Sequence, residues 1–373
     1  MRDVKVIYLL EHWLPPGTAG STGGTLYNYQ FVAALAKHVD VSVIALNAPD
    51  PSVPEGVKLE VFKEMGTGVR GARALSWRKT LTAQLPMDSS CTVLITTSAT
   101  NAVLGIARKR GFKTVSIVQA YEDFGWSVPG ANLRQRIKSL KRLLATGQGL
   151  KPSLRYADTV LVNSKYMQGQ VRGLIGPELD TRLLYPPLTL SLNLKNAFNA
   201  KSMNSVGFVN RAGKNVQFVA ELARLVPEKT FLVFGHRLPD QFEMPANMHF
   251  IGWANDRAEM FKQAYTWVMP SVWHEPFGLV AVEALSQGRR LGVSDRGGLP
   301  EAVGVAGKVF SDFDVENWRQ WLISDTHRVD KGMLVSHLRE YSRETFDKNV
   351  FLIFNSLIPG ISKSTDWPHS GRH

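Results

Sequence analysis

Short apolar runs alternate with helical patterns through the first half of the chain, stop at a Pro-Pro pair, and then begin again. The first series is VKVIYLL (4–10), VSVIAL (41–46), VKLEVF (57–62), TVLITT (92–97), KTVSIVQA (113–120) and TVLVNS (159–164). Such near-continuous apolar runs suit parallel strands covered on both faces; a strand with one wet face alternates instead. Between the first two runs a helical pattern puts Tyr27, Phe31, Ala34 and Leu35 on one stripe. The second series is SVGFVN (205–210), TFLVFG (230–235), HFIGW (249–253), TWVMPS (266–271) and RLGVSD (290–295). Between the two, YPPLTLSLNL (185–194) cannot be helical at its prolines and marks the crossing. At 373 residues the chain exceeds one ordinary core. The fold class expected is α/β: two doubly wound, Rossmann-like parallel-sheet lobes, 1–185 and 186–344, with an interlobe cleft.

Composition narrows the setting. Hydrophobic residues make up 44% and charged residues 20%, as in soluble globular proteins. A single cysteine, Cys91, forbids an intramolecular disulfide and a cysteine-built zinc site, and fits a reducing compartment. The start, MRDVKVIYLLEHW, is too short in apolar residues for a signal-peptide core, and no run approaches the ~20 apolar residues of a membrane span. A cytoplasmic protein is expected. A formal charge of +12 attracts anionic partners, whether nucleic acid, an anionic membrane face or phosphorylated small molecules.

Ligands of such sheets bind beyond the carboxyl ends of the strands, where helices begin. There the chain reads HEPFGLVAVEALSQG (274–288), with two carboxylates, Glu275 and Glu283, in an otherwise apolar or small run. Pro276 suits a loop or first helical turn, LVAVEAL is helix-compatible, and Gly288 is placed to stop the helix. Glu275 then lies in the loop before the helix and Glu283 about two turns into it. The amides from Phe277 to Val280 form a positive helix end, a seat for phosphate or sugar hydroxyls. Two carboxylates flanking that end would accept hydrogen bonds from hydroxyl pairs on a nucleotide diphosphate.

These residues carry a resemblance. EPFGLVAVE resembles the E-x7-E signature of retaining glycosyltransferases of the GT-B fold, family GT4, and DRGGLPEAVG (295–304) is similar to that family's next segment, including the paired glycines and Glu301. GSTGGTLYNYQFVAALAKHVDVSV resembles its amino-terminal glycine loop and first helix, and VGFVNRAGKNVQFVAELARLVPEKTFLVFGH its donor-domain opening. HFIGWAND and AYTWVMPSVWHEPFG follow in the family's order, so the likeness spans most of the chain.

The resemblance implies a hexosyltransferase working on a nucleotide-sugar. It makes Glu283 the holder of the donor's ribose hydroxyls and Glu275 a contact to the transferred sugar. The amides of Phe277, Gly278, Leu279 and Val280 would touch sugar and diphosphate. Lys214 and Arg211, after a strand, would neutralise the departing diphosphate; the family's Arg and Lys-Gly pattern here reads NRAGKN, without the glycine after the lysine. The loop PPGTAGSTGG (15–24) precedes the first helix, and its Gly23 and Gly24 would let backbone approach a phosphate or sugar of the donor, although an ordinary turn uses glycines as well. Many relatives have a histidine after the strand ending at Val118; this chain has QAYEDFGW, with Gln119 and Glu122 on the acceptor or sugar side. His12, after the first strand, is either a third such group or a structural histidine. The resemblance further implies that 345–358 returns to pack on the first lobe, with a loose tail in the rest of 345–373.

No Asp-x-Asp pair lies in a metal-binding loop and no Walker-type phosphate loop is present. The expectation is therefore a transferase without metal or other cofactor. The acceptor hydroxyl expected is that of a glycan, a lipid-linked carrier or a small glycoside. Two other classes compete: a GT-B sugar-nucleotide epimerase, needing acid–base groups at the sugar, and a non-enzymatic two-lobed binder. Nucleic acid is disfavoured, since aromatics do not interleave with the basic residues. LRQRIKSLKRLLATGQGLK (133–151) sets Leu133, Ile137, Leu140 and Leu144 on a stripe crowded by Arg134, Arg136, Lys138, Lys141 and Arg142. Such a helix either lies on anionic membrane, at its inner face, or packs by its leucines. Arg70, Arg73, Arg78 and Lys79 would extend the same basic surface.

Overall fold

The computed structural model describes residues 4–20, 22–63, 73–87, 92–194, 200–254, 256–324 and 331–358. Cys91, Arg70 and the tail from 361 lie outside them. The chain divides into two compact units: residues 1–163, 168–187 and 343–373 form one, and 164–167 with 188–342 the other.

The first unit holds strands β1 (Lys5–His12), β2 (Asp40–Asn47), β3 (Val57–Val61), β4 (Thr92–Thr97), β5 (Lys113–Val118), β6 (Thr159–Val162) and β7 (Asp180–Leu183). They form one parallel sheet in the order β3-β2-β1-β4-β5-β6-β7. Its helices are α1 (Gly23–Leu35), α2 (Arg73–Ala83), α3 (Leu104–Lys109), α4 (Leu133–Ala145) and α5 (Lys165–Ile175), the first turn of α5 being grouped with the second unit. All six apolar runs of the first series are strands. The sequence reading missed β7, DTRL, because an edge strand is wet on one side and lacks a continuous apolar run.

The second unit holds α6 (Ala200–Met203), β8 (Ser205–Asn210), α7 (Val216–Leu225), β9 (Thr230–Gly235), β10 (Met248–Gly252), α8 (Arg257–Lys262), β11 (Thr266–Met269), α9 (Leu279–Ser286), β12 (Arg290–Ser294), α10 (Leu299–Val303), β13 (Lys308–Phe310), α11 (Val315–Ile323) and α12 (Lys331–Arg339). Its parallel sheet runs β10-β9-β8-β11-β12-β13. The three-residue β13 was likewise missed, again at an edge. Val206, Phe208, Val219, Phe231, Val233 and Trp318 lie at the heart of this unit's core.

The chain's last described helix, α13 (Arg343–Leu357), belongs to the first unit. Phe346, Val350 and Phe354 are buried against the stripe of α1, whose Tyr27, Phe31, Ala34 and Leu35 are all buried. Ring pairs Phe31–Phe354 at 5.8 Å and Tyr27–Phe346 at 5.6 Å fix the packing. Lys37 Nζ donates to Asp347 at 2.6 Å, and Arg343 Nε to the same carboxylate at 2.7 Å. Burying an aromatic stripe stabilises far more than those half-exposed ion pairs.

Helix α4 corrects one alternative. Its buried leucine is Leu143, while Leu133, Ile137 and Leu144 of the expected packing stripe are exposed. The helix is seated through Leu143 and Leu140, which lie where a side chain on Gly125 would have to go. Arg136 Nη1 donates to the Trp126 carbonyl at 2.6 Å. Among the described residues no helix is long and apolar enough to cross a membrane.

Replacing Phe354 with Ala should destabilise the first unit by about 3–5 kcal/mol, through lost burial and a cavity under α1. Denaturant unfolding followed by fluorescence checks this; a midpoint unchanged from the parent protein would contradict the packing.

Candidate functional site

Three loops meet at the carboxyl edge of the second unit's sheet. After β8 the chain turns at Gly213, whose carbonyl accepts from the amides of Val272 (3.0 Å) and Trp273 (3.2 Å) in the loop after β11. After β12, the amide of Gly298 donates to the Glu275 carbonyl at 2.7 Å, and Gly297 bridges Glu275 in parallel register. Gly297 has φ +68°, and a Cβ there would stand 2.2 Å from the Glu275 carbonyl oxygen. Only glycine lets the backbones come this close. Those contacts set the 274–278 loop in place.

Lys214 and Glu275 are thereby brought together. Lys214 Nζ donates to Glu275 Oε1 at 2.6 Å, and Ser271 Oγ donates to the same oxygen at 3.1 Å. Both partners are largely shielded from water. Arg211 shares the turn, its carbonyl accepting from the Lys214 amide at 3.0 Å, but its own side chain is exposed and makes no ion pair among the described residues. Glu275 sits in the loop and Glu283 in α9, as the spacing requires.

Helix α9 begins after Gly278, at φ +119°, with no side chain capping it. A Cβ at Gly278 would meet Leu299 at 2.9 Å, so Gly278 also lets α10 pack close. Phe277 is buried against Tyr341, ring centroids 5.3 Å apart, which leaves its backbone, not its ring, for ligand. Leu279 and Val280 form the first turn of α9. Glu301, noted in the following segment, accepts from the amides of Lys165 (2.9 Å) and Tyr166 (3.3 Å) at the start of α5, and so acts as a helix cap.

Glu283 is fully buried. Its Oε1 accepts from Thr189 Oγ1 and Arg257 Nη1, each at 2.5 Å, and its Oε2 is buried with no hydrogen-bond partner among the described residues. An orphaned buried acceptor costs about 1–3 kcal/mol, which a ligand hydroxyl would recover. Burial raises the Glu283 carboxyl above its ordinary range; the Arg257 charge, Thr189 and the Arg257 hydrogen bond oppose it. Sequence reasoning missed Thr189 and Arg257. The only signal for them was the need to neutralise a helical glutamate in apolar company.

The residues expected on the acceptor or sugar side, and Gly23 and Gly24 expected on the donor, lie in the first unit. Gly24, at the start of α1, presses on Gln119: a Cβ there would be 2.8 Å from Gln119 Oε1. The helix itself starts with a capping box between Thr22 and Thr25. Gln119 Nε2 donates to Asn28 Oδ1 at 2.6 Å, which also accepts from Tyr8 Oη at 2.8 Å. Gly23 heads α1, while His12 ends β1 and is exposed. Glu122 is half-buried. The buried acid here is its neighbour Asp123, unremarked in QAYEDFGW. Asp123 accepts from Gln148 Nε2 at 2.6 Å and Asn101 Nδ2 at 3.0 Å, and the Asn101 carbonyl accepts from Thr96 and Ser116. Burial pushes the Asp123 carboxyl up to about 7, against the Asn101 hydrogen bond.

Residues 203–324 match the family described as Glycosyl transferases group 1. No curated protein sequence matches the chain. Among solved structures, sucrose-phosphate synthase from Thermosynechococcus elongatus is similar at 18% identity, covering 95% of this chain and 99% of that one, with a TM-score of 0.69. Anabaena HepE in complex with UDP and glucose is similar at 15% identity over 94% and 99%, with a TM-score of 0.67. WaaG, a glycosyltransferase involved in lipopolysaccharide biosynthesis, gives 13%, 95%, 100% and 0.62.

A carboxyl raised from its unfolded value to about 7 stabilises the fold when protonated, so this contribution should be full near pH 4 and fade as pH rises through about 7. Urea unfolding across that range should show the decline, and Asp123→Asn should flatten it. An equal slope in the variant would assign the decline elsewhere.

Proposed function

We propose that the chain, whose residues 203–324 match the family described as Glycosyl transferases group 1 and whose fold is that of the GT-B structures it resembles, is a glycosyltransferase that moves a sugar from a nucleotide-sugar to a hydroxyl acceptor with retention of anomeric configuration, as a family GT4 enzyme. The observation that carries this reading is the Lys214–Glu275 contact beside the amino end of α9, with Glu283 two turns further on. The bond from the sugar's anomeric carbon to the diphosphate oxygen breaks, and the acceptor oxygen bonds to that carbon from the same face. The acceptor's proton passes to the departing diphosphate. Lys214, Arg211 and the amides of Phe277 to Val280 meet the charge growing on the diphosphate, a task that needs no metal in this scheme. Glu275 accepts from hydroxyls of the transferred sugar, and Glu283 from those of the ribose. Gln119, Glu122 and His12 serve the acceptor or sugar, and Gly23 and Gly24 the donor. HepE was solved in complex with UDP-glucose, so uridine diphosphate sugars are the first donors to try.

We place the enzyme in the cytoplasm, in peripheral contact with the inner membrane face through residues 133–151. Support comes from α4, whose Leu133, Ile137 and Leu144 are exposed beside basic residues. From 124 to 157 the chain has seven basic residues and no acidic one. An amphipathic, cationic surface of this kind is attracted to anionic lipid, and it favours a lipid-linked or glycan acceptor.

With UDP-, GDP-, ADP- and dTDP-sugars and candidate acceptors, nucleotide release and product mass measure the reaction. Lys214→Ala or Glu275→Ala should lower kcat/KM by about 10²–10³-fold without unfolding the chain. Full activity in both would remove the mechanism, and a changed sugar without nucleotide release would indicate an epimerase. In flotation, vesicles containing phosphatidylglycerol should retain the protein and phosphatidylcholine vesicles should not. Lys138→Glu with Lys141→Glu should weaken retention by roughly fivefold or more per residue. Equal flotation of parent and variant would dismiss the contact.

A further inference from the structure

We propose that Arg257 is a positioning residue that sets the Glu283 carboxylate to receive the vicinal hydroxyls of the donor's ribose. The inference rests on the reading of Glu283 as the ribose contact and adds a residue to it.

Glu283 offers two oxygens in unequal states. Oε1 is engaged by Thr189 Oγ1 and Arg257 Nη1, and Oε2 is buried with no partner among the described residues. A carboxylate held this way presents one oxygen, in one orientation, with both lone pairs open. Two adjacent hydroxyls satisfy such an acceptor better than one, and a 2′-deoxy sugar brings only one. Glu283 is closed off from water by its neighbours. Thr189 is short, whereas the Arg257 side chain is long and 36% exposed, so the guanidinium is the group able to shift and admit a hydroxyl.

Arg257 is also the charge that answers Glu283. It begins α8, directly after Asp256, whose Oδ1 caps that helix by accepting from Ala258 (2.7 Å) and Glu259 (3.2 Å). The guanidinium therefore springs from a fixed backbone. Other charged groups on elements packed against α9 are engaged elsewhere. On β12, Arg290 donates to the carbonyls of Trp321 and Ser324. On α10, Glu301 caps α5, and on α12, His337 Nε2 lies 2.9 Å from the Ala302 carbonyl. Lys331 and Arg339 sit at the exposed ends of α12. The guanidinium of Arg289, just before β12, is lowered to about 10 by its burial, with Tyr265 opposing. The nearer pair, Lys214 and Glu275, neutralises itself. Without Arg257 only the Thr189 hydrogen bond opposes the burial that raises the Glu283 carboxyl. Once protonated, that carboxyl turns part of its accepting capacity into an O–H donor and meets two adjacent hydroxyls less well.

Calorimetric titration with UDP, GDP, ADP and their 2′-deoxy counterparts tests this. The parent protein should prefer its best ribonucleotide over the deoxy form by at least about tenfold, as sites built to bond a hydroxyl do. Arg257→Met should lose about tenfold or more of ribonucleotide affinity at low pH, recover part of it at high pH, and narrow the ribo-to-deoxy ratio to within about threefold at low pH. Thr189→Val, which removes one neutral hydrogen bond, should cost a few-fold at both pH values. A ratio in Arg257→Met equal to the parent's, or equal losses for ribo and deoxy ligands at every pH, would overturn the proposal. If Arg257→Met does not fold, Arg257→Lys takes its place: it should keep affinity for the ribonucleotide within about tenfold and weaken the ratio, and an unchanged ratio again overturns the idea. Failure of the parent protein to bind any ribonucleotide would instead refute the reading of Glu283 itself.

Discussion

The chemistry of this protein depends on how closely three backbones can approach one another at a sheet edge. Gly213 takes two amides from the loop after β11, and Gly297 and Gly298 press on that loop from its other side. A Cβ at Gly298 would stand 2.7 Å from the Phe277 Cα, so side chains are excluded from the seam. Held on both flanks, the segment from Trp273 to Gly278 carries Glu275 to Lys214 and starts α9 in a fixed direction. The ion pair is thus a consequence of main-chain geometry. Charges held by rigid elements do not have to be reorganised when a charged ligand arrives, which is the source of most electrostatic catalysis.

The second feature of the site is its division of labour between two glutamates. Glu275, in a loop, pairs with a lysine that keeps some contact with water. Glu283, inside a helix, sits out of water's reach and relies on Arg257 and Thr189. One carboxylate can trade its partner for a ligand at little cost. The other holds its ionised form only through the surrounding structure, and that makes it more demanding about what it accepts.

Much of this was legible in the chain. Two series of apolar runs gave two parallel sheets because strands covered on both faces have no polar alternation to hide them. Only β7 and β13, at edges, escaped. Glu275, Gly278 and Glu283 were readable because proline, glycine and helix-compatible residues bracket them within fifteen positions. Arg257, Thr189 and Asp123 were not. Their partners lie 26, 94 and 22 or more positions away, and an ordinary arginine, threonine or aspartate carries no local mark of such a contact. The face of α4 was misjudged for a related reason. Periodicity shows that a helix has an apolar stripe, but what covers the stripe is a tertiary fact.

Helix α13 has a consequence for how the protein is made. Its Phe346, Val350 and Phe354 complete the core around α1, yet more than three hundred residues separate the two helices. On the ribosome, the aromatic stripe of α1 emerges early and stays uncovered while the entire second unit is translated. The first unit must therefore wait for the last segment to leave the exit tunnel. Throughout that interval the nascent chain exposes Tyr27 and Phe31, the kind of surface that chaperones bind.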